Sequence, residues 1–160
     1  MPIYTLASNP KLQRQRPCLR KGSLTIKESK FSWPVRVYYE DTDAAGVVYY
    51  ANYLKFMERA RTEWLRAQGW EQDDLKLTHN IQFVVKKIIC DYKKPARFNH
   101  ELVVGCELKQ VRGASLVFNQ GIVLKDSSIL LCQADVTIAC IDAVTFKPTA
   151  IPIALSGVTD

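Results

Sequence analysis

The pattern of apolar and polar residues predicts a strand, one long helix and then four further strands. Val35, Val37 and Tyr39 alternate with polar neighbours, which is typical of a half-buried strand over residues 35–40. Pro34 precedes this stretch, and proline is tolerated at the start of a strand or at a sheet edge. The first strand is therefore expected at an edge.

Apolar residues recur at helical spacing after this strand. The apolar stripe consists of Tyr53, Phe56, Met57, Ala60, Trp64 and Ala67. The helix is expected to begin between residues 48 and 52, with Asn52 as the N-cap that composition favours. Gly69 is the expected stop. Arg59 lies four residues before Glu63 on the polar side, a spacing that favours an ion pair.

Apolar and β-branched runs separated by turn residues predict four strands in the second half of the chain. A short helical segment is expected before them, at residues 70–77. The strands cover residues 82–92, 102–111, 115–125 and 129–142. Because most links are short, an antiparallel sheet is expected, with the long helix on one face in an α+β fold. One helix cannot cover both faces and all edges of five strands, so a symmetric homo-oligomer is expected.

Charge is distributed unevenly along the 160 residues. Residues 1–30 hold seven Lys and Arg but only one acid, Glu28, whereas residues 31–160 hold 15 residues of each sign. The sequence therefore predicts a basic, flexible tail at 1–30 and one neutral domain at 31–160. A neutral domain argues against nucleic-acid binding. Weak contact of the tail with an anionic membrane surface stays open.

Membrane-spanning segments, disulfides and metal sites are not expected. No apolar run approaches the ~18 residues of a membrane span, which favours a soluble protein. The five cysteines form no C-x-x-C pair, and His79 and His100 lie outside any ligand spacing. The cysteines in apolar, strand-like runs are Cys90, Cys106, Cys132 and Cys140. Free buried thiols in a reducing cytoplasm are the expectation.

Residues 39–53 concentrate the candidate chemistry. Glu40, Asp41 and Asp43 lie just before Gly46 and the expected helix start. A carboxylate can act as a general base on water or attack a carbonyl itself, and free helix N-terminal N–H groups can stabilise an oxyanion. The alternative is a polar turn held by Asx hydrogen bonds. The sequence has no G-x-S-x-G motif and no glycine-rich phosphate loop, so any catalysis is expected to use carboxylates and backbone dipoles.

A family resemblance is carried by residues 35–53, VRVYYEDTDAAGVVYYANY, and by residues 56–63, FMERARTE. This stretch closely resembles the hotdog-fold acyl-CoA thioesterases. Within them the chain is most similar to the thioesterases encoded with the bacterial Tol–Pal envelope system and to the 4-hydroxybenzoyl-CoA thioesterase family. The resemblance covers about residues 31–150. It implies a five-stranded antiparallel sheet wrapped around the long helix, and a dimer or homotetramer with active sites at subunit interfaces.

The resemblance also implies roles for individual residues. Asp43, the second acid of the D-x-D, becomes the nucleophile or general base, and the backbone N–H of Tyr50, at the helix start, becomes the oxyanion donor. The residues implied to contact the substrate are Gly46, Val47, Val48, Tyr49 and Asn52. No metal or bound cofactor is implied, because coenzyme A is part of the substrate.

Two positions depart from the pattern of many Tol–Pal-associated relatives. This chain has Ala45 where they have Gly, and Tyr50 where they have His. A backbone role at Tyr50 survives the change. A side-chain role does not, because Tyr titrates near ~10 and His near ~6.5.

The function implied is hydrolysis of a short-chain or aromatic acyl-CoA in the cytoplasm. A hotdog dehydratase or hydratase would need a histidine near the helix start, which this chain lacks. The alternative is a non-catalytic envelope-system protein that binds acyl-CoA or acyl carrier protein.

Other charged residues are weaker candidates. Glu58 and Glu63 lie on the helix, where a second branch of hotdog thioesterases carries its carboxylate. Surface pairing with Arg61 or Arg59 is the simpler interpretation. The basic residues that could meet the phosphates of coenzyme A are Lys86, Lys87, Lys93, Lys94 and Arg97.

Overall fold

The computed structural model describes residues 31–127 and 129–152, so the predicted tail at 1–30 lies outside the described residues. The elements are β1 (Phe31–Arg36), α1 (Asn52–Ala67), α2 (Gln72–His79), β2 (Ile81–Tyr92), β3 (Glu101–Arg112), β4 (Ser115–Leu124) and β5 (Leu130–Asp142). The strands form one antiparallel sheet in the order β1-β3-β4-β5-β2. The predicted α+β fold, with five antiparallel strands and one long helix, is confirmed. Among the described helices, neither α1 nor α2 is long and apolar enough to cross a membrane.

Strand β1 ends earlier than the alternating pattern predicts. It lies at one edge of the sheet and pairs with β3, as Pro34 indicates. Val37 is fully buried, and its N–H donates to the carbonyl of His100 at 3.0 Å. The chain then enters a single 3₁₀ turn, Tyr39–Asp41. The expectation that Tyr39 faces the core is wrong: its side chain is 80% exposed, because the 3₁₀ turn interrupts the alternation of a strand.

Helix α1 buries its predicted apolar stripe against the sheet except for Ala67, which is exposed in the last turn. Phe56, Met57 and Ala60 are fully buried, and the rings of Trp64 and Phe118 meet edge to face with centroids 5.0 Å apart. These large apolar side chains fix the position of α1 on the sheet. The beginning of α1, one turn away, is fixed with them.

The predicted C-terminal end of α1 is confirmed, whereas its predicted N-cap is wrong. Gly69 ends the helix as predicted, with φ of +87°, and its N–H donates to the carbonyl of Arg66. The N–H of Trp70 donates back to Leu65, which completes a Schellman motif. Asn52 is not the N-cap. It is the first helical residue and follows Ala51, which is already in helical conformation and makes no side-chain cap.

Strand β2 forms the other edge of the sheet and pairs with β5. Val84, Val85 and Ile89 of this strand are 38%, 49% and 56% exposed. The link at residues 93–100 is not a hairpin, because β3 lies between β1 and β4 rather than beside β2. This crossing segment passes the beginning of α1, where it makes the contacts described below.

A buried polar pair ties α1 to the centre of the sheet. Gln120 of β4 is fully buried, and its Oε1 accepts from Nη1 of Arg61 at 2.7 Å. Its Nε2 donates to the carbonyl of Met57 at 3.0 Å. Burial lowers the pKa of Arg61, and none of the ion pairs among the described residues includes it. Gln120 is therefore the acceptor that compensates a largely buried cation.

Replacing Gln120 by Met keeps the volume but removes the acceptor of Arg61. We expect the free energy of unfolding in urea to fall by about 2–3 kcal/mol, because a hydrogen bond to a buried charge is lost. Asn119→Leu is the matched control, since the adjacent Asn119 bonds to Asp135 in an exposed position. That change should cost less than about 1 kcal/mol. Equal losses for the two variants would contradict the role given to Gln120.

Candidate active site

Residues 41–50, called the carboxylate loop below, form a small closed turn between the 3₁₀ helix and α1. Thr42 and Val48 pair as an isolated antiparallel bridge. Inside it the N–H of Asp43 donates to Val47 at 2.9 Å, and the N–H of Gly46 donates back to Asp43 at 2.9 Å. Gly46 has φ of +73°, a conformation that a side chain disfavours. The turn therefore depends on a glycine here and presents Asp43 at its tip.

The three carboxylates of this region have different environments. Asp41 is buried, and its Oδ2 accepts from the N–H of Tyr38 at 2.9 Å, so it holds the 3₁₀ turn together. Glu40 is exposed. Asp43 is exposed, and its Oδ1 accepts from the N–H of Ala45 at 2.9 Å. That bond is the Asx turn foreseen as the polar-turn alternative. It occupies one oxygen of Asp43 and leaves the carboxylate accessible.

Tyr50 lies in the turn that leads into α1. Within the described part of the chain its backbone N–H donates to no acceptor. The helix itself begins at Asn52, two residues later than the resemblance implies. The amide is still next to the first turn of α1, where unpaired N–H groups carry partial positive charge.

The beginning of α1 is tied to the carboxylate loop by buried hydrogen bonds. The Nδ2 of Asn52, which is only 5% exposed, donates to the carbonyl of Asp41 at 3.0 Å. The Oη of Tyr53 accepts from the N–H of Ala96 at 2.8 Å, and the carbonyl of Ala96 accepts from Val48 at 2.9 Å. The backbone of one buried residue, Ala96, thus joins the loop, α1 and the crossing segment. Burial also raises the pKa of Tyr53.

A shallow cleft of about 280 Å³ opens beside Tyr50. It is lined by Val48, Tyr50, Tyr53, Tyr92, Lys93, Lys94 and Pro95. The Oη of Tyr92 donates to the carbonyl of Tyr50 at 3.1 Å. Its ring meets those of Tyr50 and Tyr53 edge to face, at centroid distances of 6.4 and 5.5 Å. Burial raises the pKa of Tyr92, so the hydroxyl stays protonated and can donate.

Asp43 is not among the residues that line this cleft. The rings of Tyr49 and Tyr50 are 4.5 Å apart. The interaction with the Tyr50 hydroxyl raises the pKa of Tyr49, and the negative charge of Asp43 adds to the shift. Tyr49 is therefore close both to Tyr50, which lines the cleft, and to the carboxylate of Asp43.

The residues that the resemblance assigns to substrate contact are not all equivalent in the structure. Val48 lines the cleft, Gly46 and Tyr49 are exposed, and Val47 is half-buried. Asn52 is buried and engaged with Asp41. The roles of Asp43, Tyr50 and these five residues in catalysis or binding stay predictions.

The helix carboxylates have partners other than those expected. The Oε1 of Glu58 accepts from the hydroxyl of Thr62 at 2.8 Å, and Glu63 pairs with Arg66 at 2.5 Å. Among the described ion pairs, none joins Glu58 or Glu63 to Arg59 or Arg61, so those pairings are wrong. The spacing along α1 is suitable, but Arg61 turns inward to Gln120.

The structure also shows where the five basic candidates for phosphate contact lie. Of the five basic residues, Lys93 and Lys94 border the aromatic cleft, whereas Lys86, Lys87 and Arg97 are exposed outside it. The described parts of the chain hold no group of three or more metal-ligating side chains.

Comparison with known proteins places this site in a family. Residues 37–157 match the thioesterase-like superfamily. The chain belongs to this superfamily. It is 48% identical over 122 residues to the acyl-CoA thioester hydrolase YbgC of Escherichia coli O6:H1, an alignment that covers 76% of this chain and 90% of that protein. It is 46% identical over 125 residues to the acyl-CoA thioesterase YbgC of Haemophilus influenzae, covering 78% and 90%.

A solved structure supports the same assignment. The probable thioesterase from Bartonella henselae is 33% identical to this chain, with a TM-score of 0.73 over 78% of this chain and all of that one. The family match and these likenesses confirm the predicted hotdog fold and the enzyme class, a thioester hydrolase.

Tyr92 and Ala96 make contacts at the site that the sequence analysis does not predict. Both fall within the stretch that resembles the hotdog thioesterases, but neither had an assigned role. Ala96 acts through its backbone, which a residue type does not reveal. Tyr92 reaches Tyr50 across 42 positions of sequence, and such a contact follows only from the fold.

Replacing Tyr53 by Phe should leave the buried N–H of Ala96 without an acceptor. We expect the free energy of unfolding to fall by about 1–3 kcal/mol in urea denaturation. Tyr38→Phe is the control, because Tyr38 is 61% exposed and its hydroxyl makes no hydrogen bond to a described residue. A Tyr53→Phe variant as stable as Tyr38→Phe would show that the Ala96 bond does not hold the site.

Proposed function

We propose that this chain hydrolyses acyl-CoA thioesters, with Asp43 as the catalytic carboxylate and the backbone N–H of Tyr50 as the oxyanion donor. One observation carries the proposal. An accessible carboxylate lies seven positions before an amide that has no acceptor among the described residues, and both are fixed by the carboxylate loop. The names of the Escherichia coli and Haemophilus influenzae relatives give the same substrate class.

The proposed reaction has two chemically balanced forms. Asp43 either removes a proton from a water molecule that attacks the thioester carbonyl, or attacks that carbonyl itself to form a mixed anhydride that water then hydrolyses. In both forms the carbonyl oxygen becomes negative, and the Tyr50 N–H stabilises it. One such donor is typically worth ~10²–10³ in rate. Coenzyme A leaves as the thiolate, and the route needs no metal or bound cofactor.

The aromatic cleft supports a short-chain or aromatic acyl group. Tyr50, Tyr53 and Tyr92 present ring edges and faces to a space of about 280 Å³. Lys93 and Lys94 at its border carry the positive charge that the phosphates of coenzyme A require. The phenol of Tyr50 takes the place of the imidazole in many relatives. The proposal gives this side chain no role in proton transfer.

We further propose that the enzyme works as a homo-oligomer, a dimer or tetramer formed through β2. This strand leaves one backbone edge without a described partner, and its exposed Val84, Val85 and Ile89 would be covered by a second copy. The four described cysteines are free thiols, which supports location in a reducing cytoplasm.

Replacing Asp43 by Asn should remove the base or nucleophile and preserve the shape of the loop. We expect kcat on a panel of acyl-CoAs to fall by about 10²–10⁴. Glu40→Gln, a change at the neighbouring exposed carboxylate, should stay near wild type. Full activity of Asp43→Asn would refute the assignment of Asp43. Acyl-CoA binding without turnover by the wild type would instead favour the alternative of a binding protein for acyl-CoA or acyl carrier protein.

Replacing Ile89 by Lys should weaken oligomer formation, because it places a charge in the proposed apolar contact. Analytical ultracentrifugation should show wild type as a dimer or tetramer and Ile89→Lys shifted to smaller species. Leu77→Lys is the control, since Leu77 is 83% exposed on α2 rather than on the sheet edge. A monomeric wild type would contradict the proposed assembly.

A further inference from the structure

Two thiols lie in contact next to the candidate site and have no role in the proposed reaction. The Sγ atoms of Cys90 and Cys132 are 3.4 Å apart. In the ladder between β2 and β5, Cys90 is opposite Ala134 and Tyr92 is opposite Cys132. The two cysteines are therefore diagonal neighbours on one face of the sheet, and their sulfur atoms are in van der Waals contact.

The same face carries Tyr92, two residues after Cys90 on β2. Tyr92 holds the carbonyl of Tyr50 and packs on Tyr53, so the thiol pair lies behind the segment that presents the proposed oxyanion donor. Cys132 is fully buried, whereas Cys90 is only half-buried. One thiol of the pair is thus open to a small oxidant and the other is within reach of the first.

We propose that Cys90 and Cys132 form a reversible disulfide that switches the thioesterase off under oxidising conditions. The effect on activity rests on the proposed function. Formation of the Cys90–Cys132 disulfide does not depend on it. The pair is specific in its placement: Cys106 and Cys140 are also buried, and neither has a described thiol within contact distance.

The oxidant class is a peroxide, and the chemistry balances with hydrogen peroxide. The sulfur of Cys90 attacks one peroxide oxygen and becomes a sulfenic acid, and one water is released. The sulfur of Cys132 then attacks the Cys90 sulfur, the S–O bond breaks, and the Cys132 proton leaves with hydroxide as a second water. Two thiols and one peroxide thus give one disulfide and two waters. Burial raises the pKa of Cys132, and the negative charge of Asp91 adds to the shift, while the positive charge of Lys93 acts against it.

Closing the bond changes the geometry near the site. The sulfur atoms must move from 3.4 Å to the ~2.05 Å of a disulfide, so the side chains of Cys90 and Cys132 and their neighbours must adjust. Tyr92 lies two residues from Cys90 and opposite Cys132, so the adjustment is next to the residue that holds the Tyr50 carbonyl. A misplacement of about 1 Å near reacting groups can cost ~10² in rate. Oxidation should therefore lower kcat through the Tyr92–Tyr50 hydrogen bond.

The test is oxidation of the full chain by hydrogen peroxide, followed by peptide mapping and by acyl-CoA hydrolysis before and after dithiothreitol. We expect a linked peptide pair containing Cys90 and Cys132 and a fall in kcat of about tenfold or more that dithiothreitol reverses. Cys90→Ser should keep its activity in peroxide. Cys140→Ala, the matched change at a thiol without a described thiol partner, should respond like wild type. If Cys90→Ser does not fold, Cys132→Ala replaces it as the variant that cannot form the disulfide.

Absence of the Cys90–Cys132 link would overturn the proposal, and so would a link that forms without loss of kcat. If the reduced chain hydrolyses no acyl-CoA, the proposed function fails separately. The disulfide proposal is then tested by peptide mapping and by the chemical shift of the Tyr50 amide. Oxidation should change this shift in wild type and not in Cys90→Ser.

Discussion

The arrangement of the candidate site depends on the backbone of one buried residue, Ala96. Its N–H donates to the Tyr53 hydroxyl on α1, and its carbonyl accepts from Val48 in the carboxylate loop. Because Ala96 is fully buried, water cannot replace either bond, and losing one would leave an unpaired polar group inside the protein. The crossing segment between β2 and β3 thereby fixes the distance between the loop and the beginning of the helix.

A second constraint acts further along the same helix. Arg61 points into the core and is held by Gln120 at the centre of the sheet, so α1 cannot rotate without breaking a buried hydrogen bond to a charge. The apolar stripe fixes the helix on the sheet, Gln120 fixes its rotation, and Ala96 fixes its beginning. The proposed oxyanion donor at Tyr50 thus belongs to a rigid helix start, as a preorganised electrostatic site requires.

Much of this could be predicted from the sequence, because the relevant signals are local. Gly69 ends α1 where the pattern places it, and the four later strands lie within a few residues of the predicted ranges. The errors arise where a distant contact overrides local preference. Asn52 is a good N-cap by composition, but its side chain bonds to Asp41 instead. Arg59 and Glu63 have the right spacing for an ion pair, yet Glu63 pairs with Arg66. The parts of the site supplied by Tyr92 and Ala96 come from the sheet topology, which residue patterns do not specify.

The central claim is that the Tyr50 amide stabilises the oxygen of a thioester carbonyl beside Asp43. It is tested most directly by ¹H–¹⁵N NMR with an acyl-CoA analogue in which a methylene replaces the sulfur, because this ligand keeps the carbonyl but cannot be hydrolysed. We expect a downfield shift of the Tyr50 amide proton on binding, larger than with an analogue that lacks the carbonyl. A bound carbonyl analogue that leaves the Tyr50 amide unchanged would contradict it.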